Sequence, residues 1–136
     1  MIKFRGIPLE DASEIKCVNF DGNFVYGYYI KNGDGALIVG NKTKELDDVG
    51  LSRWYAEIDP KTVGQFTGLK DMNGKEIYEG DILKNRKYRS IVKFANGKFL
   101  ADVVGTISRF DLIGETHGSK VIGNVHENAK LLEEDK

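Results

Sequence analysis

Phe24-Val25-Tyr26-Gly27-Tyr28-Tyr29-Ile30-Lys31 carries the period of two that decides the fold. Phe24, Tyr26, Tyr28 and Ile30 fall on one face of an extended strand, and their aromatic and β-branched character favours that conformation. Just before them, Asp21-Gly22 suits a tight type I′ turn, whose two central positions both want positive φ. A two-residue loop there sets Asn19, Cys17 and Ile15 opposite Phe24, Tyr26 and Tyr28, giving the hairpin one mostly apolar face.

Turn signals recur at short spacing outward from this hairpin, at Asn32-Gly33, Gly35, Gly40-Asn41, Asn73-Gly74 and Asn96-Gly97. Strand-like runs lie between them: 36–39, 53–58, 80–84, 90–94, 98–104 and 120–125. Many short strands separated by Gly and Asn turns point to a mostly-β barrel or sandwich. Helical content is expected to be low, with candidates after Asp59-Pro60, over 108–114 and over 128–134. A boundary is expected near Asp59-Pro60, dividing a β-rich region 1–60 from a region 61–136. Neither part alone has residues for a large core, so the two are expected to pack on each other.

The chain has 136 residues, 40% hydrophobic and 30% charged, which supports a folded core with a soluble surface. Lys and Arg number 20 against 21 Asp and Glu, for a net charge of -1. This balance argues against a chain that coats nucleic acid or anionic membrane over its whole surface, though not against a local patch. Cys17 is the single cysteine, so no intrachain disulfide forms, which suits a reducing compartment. No apolar run approaches 18 residues, and Met1-Ile2-Lys3-Phe4-Arg5 lacks a signal-peptide core. The expected location is the cytoplasm.

The longest distinctive segment is Thr67-Gly68-Leu69-Lys70-Asp71-Met72-Asn73-Gly74-Lys75-Glu76-Ile77-Tyr78-Glu79-Gly80-Asp81-Ile82. It strongly resembles the YopX family of small phage and prophage proteins. Met1 to Arg5 look like that family's start, Val63-Gly64-Gln65-Phe66 leads into the motif in the usual way, and Val121-Ile122-Gly123-Asn124-Val125-His126-Glu127-Asn128 resembles its closing strand. Gly6-Ile7-Pro8 departs from the common continuation, and Ala129 stands where relatives often have proline. The resemblance implies an SH3-like small barrel for the C-terminal part and a protein of the bacterial host cytoplasm. It implies no activity. Read physically, Asp71, Asn73 and Gly74 are turn residues, with Gly74 free to take positive φ in a bulged hairpin. Lys75 and Glu76 should face solvent, Ile77 and Tyr78 should pack inward, and Gly80-Asp81 forms a second turn.

Residue chemistry points to binding rather than catalysis. Glu76, Glu79 and Asp81 are close in sequence, but their spacing around a turn does not make them converge, and no histidine is near. His117 and His126 with one remote cysteine match no zinc pattern. Cys17 reads as an inert core thiol. Neither a nucleophile elbow nor a phosphate-cradling or dinucleotide glycine motif is present. The expectation is therefore no enzyme, with no catalytic residue, cofactor or metal.

Two surfaces are candidates for contact. Lys84-Asn85-Arg86-Lys87-Tyr88-Arg89 gathers cations around an aromatic in a loop between two strands. There Lys84, Arg86, Lys87 and Arg89 could pair phosphates while Tyr88 stacks a base. Arg53, Trp54 and Tyr55 form either an exposed recognition set or, through Trp54, a buried pin between the two parts. The leading expectation is a non-enzymatic module that binds a host or phage protein or a second copy of itself. The alternative is a nucleic-acid-binding module using the loop 84–89. No membrane partner is expected.

Overall fold

The computed structural model describes residues 3–9, 20–21, 23–41 and 53–132. They form antiparallel strands and three short 3-10 turns, with no α-helix among the described residues. The turns, Pro60–Thr62, Leu112–Gly114 and Ala129–Leu132, fall in the three places where the sequence suggested helical character. The chain divides into two compact units, Met1–Gln65 and Phe66–Lys136.

The first unit holds β1 (Phe4–Gly6), β2 (Phe20–Asp21), β3 (Phe24–Asn32), β4 (Gly35–Asn41) and β5 (Arg53–Ile58). The start of β6 (Gly64–Lys70) pairs with β1, giving the order β5-β4-β3-β1-β6 with β2 beside β3. Residues 7–9 then return to β5. Pro8 bridges Ile58, Leu9 N donates to the Glu57 carbonyl at 2.9 Å, and Asp59 N donates to the Ile7 carbonyl at 2.9 Å. Pro8 stands where no N–H is used, so its missing donor leaves the ladder intact. A Cβ on Gly6 would run into the Ile58 side chain. Gly6-Ile7-Pro8 thus closes a ring of strand pairings.

The apolar face of β3 differs from the expected one. The core consists of Val25, Ala36, Ile38, Ala56 and Ile58, with Phe4 and Val63 packed against it. Phe24 is buried and lies under the Arg5 guanidinium, 4.2 Å from the ring centre. Tyr28 and Ile30, however, are 53% and 46% exposed. Ile38 pairs with Tyr29 and Ala56, and Ala36 with Lys31 and Ile58. Val25 lies in this core and Tyr29 stands opposite Ile38 on the same face, so the period of two sends Tyr28 and Ile30 to the other side. The first hairpin is also shifted. Asp21 pairs with Phe24, so Asp21 belongs to the ladder rather than to the turn expected at Asp21-Gly22. The pairings expected of Ile15, Cys17 and Asn19 lie outside the described residues.

The second unit holds the rest of β6, β7 (Glu76–Tyr78), β8 (Asp81–Lys84), β9 (Arg89–Ala95), β10 (Lys98–Val103), β11 (Arg109–Asp111) and β12 (Lys120–Asn124). Five of these make a curled antiparallel sheet in the order β11-β10-β9-β8-β12. Asn96 and Gly97, at φ 55° and 82°, form the left-handed pair that joins β9 to β10. Ile77, Leu83, Val92 and Leu112 fill the core, with Leu69, Phe99 and Val121 against them.

Asp71 organises this unit. Its buried carboxylate accepts from Asn73 N at 2.8 Å and Lys75 N at 2.9 Å through Oδ1. Oδ2 accepts from Val121 N at 2.8 Å, 50 residues further along. Met72 N donates to the Ser119 carbonyl at 3.0 Å alongside. Gly74 takes φ 84° to close the turn. Burial of Asp71 opposes ionisation, but the hydrogen bonds from Val121, Lys75 and Asn73 outweigh it and hold the carboxyl below the usual aspartate value. Asp81, also buried, accepts from Tyr78 N at 2.8 Å, which secures the Gly80 turn at φ 94°.

The closing segment is built the same way. Asn124 Oδ1 accepts from His126 N and Glu127 N, each at 3.0 Å, and its amide donates to Glu127 at 2.9 Å. Asn128 Oδ1 accepts from Asn124 N at 3.1 Å. A Cβ on Gly123 would lie 2.6 Å from that oxygen, so the glycine makes room for the asparagine.

Two outcomes follow. Asp71→Asn should lower stability by on the order of 2–3 kcal/mol, since one carboxylate oxygen becomes a donor facing a backbone donor. The folded state binds the Asp71 proton less tightly than the unfolded chain. Its stabilisation is therefore complete above the ordinary value of 3.8 and fades as pH falls through the lower folded value. Urea unfolding from pH 6 down to pH 3 should show the wild type converging on the variant. Separately, Gly123→Ala should destabilise by about 1–3 kcal/mol, and less in an Asn128→Ala background. A double-mutant cycle should return a coupling of at least about 0.5 kcal/mol.

Candidate functional site

The hairpin β8–β9 presents the basic segment. Lys84 pairs with Arg89 across it, leaving residues 85–88 as the loop. Asn85 orders the loop by accepting from Lys87 N at 2.8 Å and Tyr88 N at 2.9 Å, while its own N–H reaches the Tyr88 carbonyl at 3.0 Å. Arg86 and Lys87 are thereby held exposed at the tip.

Tyr88 and Arg89 are committed elsewhere. The Tyr88 ring stacks on Phe110 at 5.9 Å, and its hydroxyl donates to Glu115 at 2.8 Å. Burial and the carboxylate beside it push the phenol above its ordinary value. Arg89 donates to the Leu131 carbonyl at 3.0 Å. The segment is therefore an ordered hairpin in which Lys84, Arg86 and Lys87 face solvent. Lys120 of β12 pairs with Lys84 from the other side and joins them. Sequence spacing gave no sign of that fourth cation, because only the β12–β8 register brings it there.

The second set is divided. Tyr55 is 63% exposed, while the backbones of Arg53 and Trp54 pair with Asn41 and Gly40. The side chains of Arg53 and Trp54, and with them the expectation that Trp54 is a buried pin, lie outside what is described. Tyr55 does not stand alone. It pairs with Val39, and Val39 with Tyr28; Leu37 pairs with Ile30. Tyr28, Ile30, Leu37, Val39 and Tyr55 thus share the outward face of β3–β4–β5, opposite the Ile38 core. The sequence places Tyr28 and Ile30 with Phe24 and Tyr26 on one apolar face of the strand. The signal that reverses them is the small-and-branched alternation Ala36, Ile38, Ala56, Ile58 on the neighbouring strands.

The remaining candidates fall apart as a site. Asp81 is a buried turn cap, and Glu76 accepts from the Tyr78 hydroxyl at 3.3 Å. His117 and His126 are exposed and nine positions apart in chain. No group of three His, Cys, Asp or Glu side chains among the described residues is disposed to hold a metal ion. No helix is long and apolar enough to cross a membrane among those residues.

Two β units, a motif folded around a buried aspartate and a closing strand locked to it define a small all-β protein of one recognisable kind. The chain belongs to the YopX protein family, whose model matches residues 3–133. Among solved structures it is similar to the crystal structure of protein EF1440 from Enterococcus faecalis. The two are 23% identical, with a TM-score of 0.47, over 98% of this chain and 99% of that one. No curated protein matches the chain.

The Tyr88 anchorage is directly measurable. In a carbon-13 tyrosine ring titration Tyr88 should ionise above 10.0, and Glu115→Gln should move it down by removing the charged acceptor.

Proposed function

We propose that this chain is a non-enzymatic protein-interaction module, encoded by a phage or prophage and acting in the bacterial cytoplasm on a host or phage protein. The observation that carries this reading is the outward face of β3–β4–β5. Tyr28, Ile30 and Tyr55, at 53%, 46% and 63% exposed, adjoin half-buried Leu37 and Val39. A contiguous apolar and tyrosine-rich patch on an ordered sheet is the usual composition of an interface centre. Tyrosine contributes large contact area with few torsions to freeze. Family membership supports the phage origin, and the chemistry of the described side chains favours turn and cap roles for the buried carboxylates over acid–base work.

The test compares wild type with Tyr55→Glu and Ile30→Lys. Both positions are exposed, so thermal stability should change little, within about 0.5 kcal/mol. Partners captured from host cells carrying the phage should bind wild type at least about 30-fold more tightly than Tyr55→Glu, the loss expected of a hot spot near 2 kcal/mol. Light scattering on the purified protein separates a foreign partner from a second copy. A partner held equally by all three proteins would overturn the reading.

A further inference from the structure

We infer that the β12–β8–β9 edge of the C-terminal sheet is a second, independent binding surface, taking the phosphodiester backbone of nucleic acid without reading its bases. The inference starts from a row that the sheet register assembles. Lys120 pairs directly with Lys84, and Lys84 with Arg89. Residues opposite each other on neighbouring strands stand about 5 Å apart and project from the same face. Leu83 and Val121, the neighbouring pair, pack in the core, whereas Lys84 and Lys120 project from the opposite face and are both exposed. Arg86 and Lys87 continue the positive surface at the hairpin tip.

Like charges placed opposite each other disfavour the sheet, and the carboxylate close to the loop, Glu115, accepts from the Tyr88 hydroxyl. Among the described residues, the sheet's ion pairs lie toward its other border: Lys93 and Arg109 with Asp102, and Lys98 with Asp111. Among the described residues no carboxylate pairs with Lys84, Arg86, Lys87 or Lys120. Yet each is held on ordered backbone. Asn85 fixes the loop. Lys120 sits between Ser119, whose carbonyl accepts from Met72 N at 3.0 Å, and Val121, whose N–H is held by Asp71 at 2.8 Å. Pre-positioned cations lose little freedom on meeting a chain of phosphates, and neutralisation by that chain relieves their mutual repulsion.

The structure also says what this surface does not do. Tyr88, the one aromatic of the loop, already has one ring face stacked on Phe110 and its hydroxyl bonded to Glu115, so it is held to the fold rather than freed to follow a base. Arg89 is held by the Leu131 carbonyl and is left out of the contacting set. Recognition therefore rests on Lys84, Arg86, Lys87 and Lys120, and is indifferent to sequence.

The experiment is fluorescence anisotropy of the full chain with a labelled 20-base-pair duplex and its single strand, from 25 to 200 mM salt. A log–log salt slope of about -2 to -4 is expected on duplex, near -0.9 for each phosphate neutralised. Lys84→Ser with Lys120→Ser should weaken binding at least tenfold at low salt and reduce the slope by about 1–2, with a melting temperature held or raised as the facing charges are removed. Tyr88→Phe should leave affinity within twofold. Absence of binding at 25 mM salt would overturn the inference, as would a Lys120→Ser variant that binds like wild type. Inorganic polyphosphate competing as well as duplex at equal phosphate would reduce the surface to a general polyanion site and reject its nucleic-acid assignment. Tyr55→Glu should not alter any of these curves, which keeps this outcome separate from that of the protein-partner test.

Discussion

The C-terminal unit depends on one buried carboxylate. Asp71 accepts from Asn73, Lys75 and Val121, so a single side chain both forms its own turn and fastens a strand far along the chain. A local Asx turn by itself contributes little to a fold. Fastened to β12, the same turn sets where that strand begins, which sets the register against β8. The bulge between Val121 and Gly123 then lets β12 bend before the Asn124 turn, where Gly123 yields its side-chain space to Asn128. Charge is retained at Asp71 because three backbone donors point at it. An uncharged amide could satisfy only part of that demand.

The sequence showed the architecture more plainly than the surfaces. Strand positions were legible because Gly and Asn turns punctuate the chain, and the Asn96-Gly97 pair adopts the conformation its residue types demand. Which face of β3 is buried was not legible from β3 alone, whose aromatic residues alternate on both sides. It was written in Ala36, Ile38, Ala56 and Ile58, and reading it needed the knowledge that these strands are neighbours. The place of Asp21 in the ladder instead of the turn has a similar origin, since strand pairing rather than residue type decides where a hairpin closes.

The basic segment illustrates the same limit in a site. Its cations were visible as a cluster, but composition does not tell a free side chain from a committed one. Tyr88 and Arg89 are drawn into the fold by Phe110, Glu115 and Leu131, all distant in sequence. Lys120 enters for the same reason, through strand register. Local sequence therefore identified the hairpin, while long-range pairing decided which of its side chains remain available to a ligand.

The short strand β11 has a consequence for how the protein behaves in a crowded cell. It forms one border of the five-stranded sheet and is three residues long. Arg109 grips Asp102 with two nitrogens, and Asp111 is paired with Lys98. A passing extended chain that tried to lengthen the sheet there would find few residues to zip against and charged groups flanking the seam. That border of the C-terminal sheet is thus a poor template for an added strand.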